Sequence, residues 1–131
     1  MTIEKFNPVG LHEPEGYMQV VVATATKRVY IAGQIGVDTD HVVVGPDLAS
    51  QTAKAFENLG VALEAAGASW EHLVKWTCYV VGLDEAKLGE FFAGIEQATD
   101  NGLVPTAATL IGVQALYLPD LLVEIEAIAE I

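Results

Sequence analysis

Apolar and polar positions alternate most strictly at residues 122–129. Val123, Ile125, Ala127 and Ala129 fall on one face, and Leu122, Glu124, Glu126 and Ile128 on the other. The pattern predicts a strand over residues 121–131. Residues 105–113 predict the strand before it, and a loop containing Pro119 joins the two. Two carboxylates two positions apart on a strand project the same way, with Cα atoms about 6.5–7 Å apart. Pattern alone puts Glu124 and Glu126 on the wet face of an antiparallel sheet. Leu122 and Ile128 share that face, which argues that a partner covers part of it.

The same reading, taken along the chain, predicts the other elements. Residues 1–18 are mostly loop, broken by Pro8, Gly10, Pro14 and Gly16, with a short edge strand at 3–6. Residues 19–25 form a continuous β-branched run, and 28–33 form the next strand. Thr26-Lys27 between them predicts a hairpin. Residues 42–44 are a minor strand before the Gly45-Pro46 break. Residues 47–66 predict a helix capped by Asp47, with Leu48, Thr52, Ala55, Phe56, Leu59, Ala62, Leu63 and Ala66 in one stripe and Gly67 as the stop. Asn58 within it reads as an exposed asparagine, since a buried one would need partners. After a short turn at 69–72, residues 73–81 alternate Val74, Trp76, Cys78 and Val80 against Lys75, Thr77, Tyr79 and Val81. A second helix over 84–99 starts at Asp84, buries Leu88, Phe91, Phe92 and Ile95, and ends at Asp100-Asn101-Gly102.

The order is therefore β-β-α-β-α-β-β. It predicts an α+β domain spanning residues 1–131, with one mostly antiparallel or mixed sheet and two helices on one face. The other sheet face carries Thr77, Tyr79, Leu122, Glu124, Glu126 and Ile128. That mixture suits an interface with a polar pocket at its edge.

Composition sharpens this. Apolar residues make up 52% of a 131-residue chain, more than a monomer of this size readily hides, so oligomerisation is expected. Net charge is −12. Arg28 is the one arginine, and the lysines at 5, 27, 54, 75 and 87 are dispersed, so the footprint that holds nucleic acid is missing. No run of 18 apolar residues predicts a membrane span, and no signal peptide is expected. A lone Cys78 excludes an internal disulfide and suits a reducing cytoplasm. Beside Trp76 it reads as a small hydrophobe, not a nucleophile. His12, His41 and His72 lack ligand spacing, so no metal or cofactor is expected.

One ordered set of segments resembles a known family. The segments are Gly16-Tyr17-Met18-Gln19, Val29-Tyr30-Ile31-Ala32-Gly33-Gln34-Ile35, Gln51 through Asn58-Leu59 to Leu63 and Ala66-Gly67-Ala68, Pro105-Thr106, Leu118-Pro119, and Val123-Glu124-Ile125-Glu126-Ala127-Ile128-Ala129. Together they look like the RidA family, also called YjgF/YER057c/UK114, which includes enamine/imine deaminases. The resemblance implies a chorismate-mutase-like fold and a homotrimer, with sheets inside, helices outside and a small-molecule cleft between each pair of subunits. It also implies site roles. Tyr17 matches the tyrosine that lines the cleft. Ala32-Gly33 matches a Ser-Gly step whose backbone N–H binds substrate, so the serine hydroxyl is missing. Glu124 matches the glutamate that positions water. Thr109 matches the residue whose carbonyl is used. Ala107 falls where an arginine would grip the substrate carboxylate, and alanine supplies none of that arginine's paired charged hydrogen bonds. Arg28 matches no site position and reads as solvent-facing at a hairpin.

Three functions follow from these residues. One is a trimeric small-molecule-binding protein without the usual 2-imino or enamine acid deamination. Another is a hydrolase acting on a C=N or related small electrophile, with Glu124 positioning water or acting as base and the Gly33 N–H as donor. The missing arginine then points to a neutral or cationic substrate. A ribonuclease role is disfavoured by the charge. Glu124, buried in a cleft without a cation and near Glu126, is expected to titrate above the usual glutamate value.

Overall fold

The computed structural model describes residues 2–100 and 102–131. Its elements follow the alternation and the caps closely: β1 (Thr2–Phe6), β2 (Val20–Thr24), β3 (Arg28–Ile35), α1 (Leu48–Ala65), a 3-10 turn at Trp70–His72, β4 (Leu73–Val81), α2 (Glu85–Thr99), β5 (Ala107–Val113) and β6 (Val123–Glu130). The Asp47 carboxylate accepts from Ser50 N at 2.9 Å, and the Asp84 carboxylate accepts from Lys87 N at 2.9 Å, so each helix opens on the expected cap. Asp100 ends α2 in the left-handed region (φ 48°). Asn101, in the predicted stop, lies outside the described residues. Residues 42–44 supply only an isolated bridge, Val43 to Val37.

The principal sheet has the order β3-β6-β4-β5. β6 runs antiparallel to both neighbours, and β5 runs parallel to β4 at the edge. The fold is thus α+β with a mixed sheet and two helices on one face, as expected. One pairing differs from the sequence reading. β2 does not form a hairpin with β3. It pairs with β1 in a separate two-stranded sheet, while β3 pairs with β6. The connection at 25–27 is held by the segment after β6: Thr26 N and Lys27 N both donate to Ile131 O, and Ile131 N donates to Lys27 O. β5 and β6 are joined by a loop but separated by β4.

The inward face of β6 packs Val123, Ile125, Ala127 and Ala129 against Leu59 and Leu63 of α1, with Trp76, Cys78 and Val80 of β4 beside them. Phe56 meets Trp76 and Phe91 edge to face, with ring centroids 6.3 Å apart in each pair. The second helix buries Phe91, Gly94, Ile95 and Thr99, not the stripe expected. Leu88 is 36% exposed and Phe92 49%. Gly94 is the reason. A Cβ there would lie 2.6 Å from Ala49 O, so the helices cross at backbone contact and leave Leu88 and Phe92 on the flanks.

Two amides in α1 position the far side of the sheet. Gln51 is completely buried in the apolar stripe. Its Nε2 donates to Gly45 O and Asp120 O, each at 2.9 Å, and its Oε1 accepts from Leu122 N at 2.8 Å. Asn58 is half-buried and has the partners that a buried asparagine needs, donating to Ile35 O and Val37 O at 3.0 Å. These bonds fix where β3 ends and where β6 begins.

Candidate functional site

Glu124 lies on the open face of β6, between Tyr79 of β4 and Ile35 of β3 in the ladder. The register of β3 against β6 shifts between Ile31 and Gln34, and Gly33 sits in that irregularity. The Glu124 carboxylate occupies the space that a side chain at position 33 would need; a Cβ there would lie 2.6 Å from Glu124 Cδ. With the Glu124 side chain in this position only glycine fits at 33, and a larger residue there would displace the carboxylate. Tyr79 Oη donates to Glu126 Oε1 at 2.7 Å, so Glu126 has a partner. Among the described residues no hydrogen bond from another side chain reaches Glu124. Burial raises the Glu124 pKa, and the charge of Glu126 raises it further.

This shift fixes the sign of a stability change. A glutamate whose folded pKa is raised favours the folded protein below its ordinary pKa, about 4.5, and loses that contribution as pH rises through the folded value. Glutamine is uncharged across the range. Glu124→Gln is expected to melt above wild type at pH 7–8, with the gap closing toward pH 4. Thermal unfolding of both proteins between pH 4 and 8 measures it. A glutamine variant that melts lower at neutral pH would reveal an ionic partner for Glu124.

The second group gathers at the start of β5. Met18 N donates to Thr106 O at 3.0 Å, and Met18 bridges Ala107 in parallel, which lays the segment containing Tyr17 beside Ala107. Tyr17 Oη and His12 Nε2 are 2.8 Å apart, so the loop histidine holds the tyrosine. Lys75 pairs with Ala107 across the parallel β4–β5 ladder. Its Nζ donates to Thr109 Oγ1 at 2.7 Å. Arg28 faces solvent as expected, but no hairpin forms there, and its Nε donates to Glu130 Oε1 at 2.7 Å.

Two neighbouring depressions cover this face. One, of about 370 Å³, is lined by Ala107, Arg28, Lys75, Ile128 and Glu130 among others. The other, of about 440 Å³, runs over Tyr30, Ala32, Lys75, Thr77, Glu126 and Ile128. The structure brings Gly33 to Glu124, with Ala32 adjoining in sequence, and brings Tyr17, Ala107 and Thr109 into one neighbourhood. It does not join the two groups within one chain. Ala107 stands level with Lys75 and Ile128, four residues along β6 from Glu124 and two strands across. That separation is about 13 Å along the strand and about 10 Å across it. The Tyr79–Glu126 pair and the contact of His12 with Tyr17 were not singled out from sequence. Alternation placed Lys75 and Tyr79 on this face, but their neighbours depend on strand order. No cluster of metal-binding side chains occurs among the described residues.

Residues 11–131 match the family described as Endoribonuclease L-PSP. The chain belongs to this family, the RidA family of the resemblance. A RutC family protein of Pyrococcus abyssi, PYRAB12510, is 35% identical over 104 residues, 77% of this chain and 76% of the relative. The human 2-iminobutanoate/2-iminopropanoate deaminase is 33% identical over 70 residues, 53% of this chain and 50% of the relative. The crystal structure of YyfB of Yersinia pestis, described as a Rid-family protein of unknown function, superposes with a TM-score of 0.89 at 34% identity and covers all of both chains. The RidA-family chain thus shares its architecture with a solved family member from end to end.

Proposed function

We propose that this RidA-family protein is a homotrimer that binds a small molecule in clefts between subunits, and that 2-imino acids are poor substrates for it. The observation that carries this reading is the separation of the two residue groups. Ala107 and Glu124 occupy the same open sheet face but lie too far apart in one chain to hold one small ligand. A neighbouring subunit that covers the face completes the cleft. Ala107 stands where the family resemblance calls for arginine, so deamination of the kind named for the human relative is weakened. The lone, buried Cys78 supports a cytoplasmic setting. A net charge of −12 favours a small ligand over RNA despite the family's name.

Sedimentation velocity at micromolar concentration is expected to give a trimer. A clean monomer would overturn the shared cleft. A second reading draws on Glu124, whose carboxylate has no hydrogen-bonding side-chain partner among the described residues, lies against Gly33 and titrates high: hydrolysis at a C=N bond with Glu124 positioning water. Comparing wild type with Glu124→Gln on a panel of imines, amides and lactams separates the two. Turnover that disappears in the variant supports hydrolysis. Binding without turnover in both proteins supports the binding role.

A further inference from the structure

The charges of this chain are unevenly placed. Only six side chains are basic in a chain of net charge −12, yet three of them gather around the start of β5. Lys5 Nζ donates to Pro105 O at 3.1 Å. Arg28 and Lys75 line the depression that contains Ala107. Two of the three are committed. Arg28 is neutralised by Glu130. Lys5 is turned to a backbone carbonyl on the β1 side and is partly buried.

Lys75 differs from both. Among the described residues no carboxylate lies within ion-pair distance of it; the pairs are Arg28–Glu130 and Lys54–Glu57. Glu126 lines the same depression, but its carboxylate accepts from Tyr79. An ammonium has three N–H donors, and one of these is spent on Thr109 Oγ1. That bond fixes the charge beside Ala107, and Lys75 lines both depressions.

We infer that Lys75, anchored by Thr109 beside Ala107, is the anion-binding group of this site and accepts the carboxylate of a small organic acid. This rests on the small-molecule cleft proposed above. The charge issues from β4, about one strand spacing, 4.8 Å, from the backbone of position 107. An ammonium also makes a point contact where a guanidinium makes a paired one. A carboxylate held in this way is displaced and less restrained in rotation. The site therefore binds carboxylates without aligning them for rapid hydrolysis.

Calorimetric titration of the full chain with 2-oxobutanoate and with its neutral amide, 2-oxobutanamide, tests the assignment. Wild type is expected to prefer the carboxylate by about tenfold or more, with the preference falling as salt is raised. Lys75→Met should bring the carboxylate down to the affinity of the amide and leave the amide unchanged. Lys75→Arg should keep the preference. If Lys75→Met keeps it too, or weakens both probes equally, the Lys75 assignment falls and the cleft stands. If wild type binds neither probe, the cleft reading falls and this inference with it. Should Lys75→Met fail to assemble, the protein can be reductively methylated with a ¹³C label. Shifts of the Lys75 methyl signals with the carboxylate but not the amide support the assignment, and unmoved signals overturn it.

Discussion

Given 2-iminobutanoate made in situ by an amino-acid oxidase, the wild-type protein is expected to hydrolyse it roughly tens to thousands of times more slowly than a relative with arginine at the position of Ala107. An arginine there would make two parallel charged hydrogen bonds to the substrate carboxylate, and removing a desolvated contact of that kind costs about 2–5 kcal/mol. The methyl group of Ala107 makes none. The point charge of Lys75, offset by one strand, holds the acid without the same alignment. On its own chain, position 107 opens into a depression of about 370 Å³. The Ala107→Arg variant is expected to recover a large part of the rate, mostly in kcat/KM. Following imine decay spectroscopically compares the three proteins. A wild-type rate equal to that of the arginine-bearing relative would refute the weakened site.

Gln51→Leu is expected to destabilise the fold by about 2–5 kcal/mol: an unsatisfied buried polar group costs roughly 1–3 kcal/mol and three groups lose their partner, but water reaches some of them because Asp120 is exposed and Gly45 and Leu122 are half-buried. Gly45 O, Asp120 O and Leu122 N all depend on this one amide. Leucine fills much of the volume and answers none of the three. Domains of this size have a total stability of about 5–15 kcal/mol, so the loss is a large fraction. Urea unfolding should show a lower midpoint at unchanged slope. The amide signals of residues 120–124 should shift as the start of β6 loosens. A midpoint equal to that of wild type would mean that other contacts hold the 120–122 segment.

The sequence made the elements readable because local rules act within them. Asp47 and Asp84 marked the helix starts through caps that compete well with continued extension. Alternation in β4 and β6 assigned every side chain to a face. Partners were less readable, since alternation says which way a residue points and nothing about which strand lies beside it. Thus proximity in sequence suggests a β2–β3 hairpin, whereas β2 pairs with β1 and β3 with β6. Gln51 lies on the buried side of α1, three residues after Leu48 and four before Ala55, a sign of a buried polar network that the stripe read from sequence left out. Glu124 and Gly33 came from the resemblance, and their contact needed the β3–β6 register. The Lys75–Ala107 pairing needed the parallel β4–β5 ladder, whose strands are separated by a whole helix in sequence.

Placing β6 between β3 and β4 also sets an order of events during synthesis. A chain emerging from the ribosome presents β3 and α1 early, then β4, α2 and β5. Within the described sheet, β3 has no partner until residues 123–130 have been made and have left the ribosome. Contacts this distant in sequence slow folding, because loop closure must precede the pairing that rewards it. Until then the nascent chain exposes unpaired edges of β3 and β4, the kind of edge that recruits another chain. Synonymous codons that slow the ribosome just before residue 123 would lengthen that exposure and lower soluble yield without altering a single residue of the product.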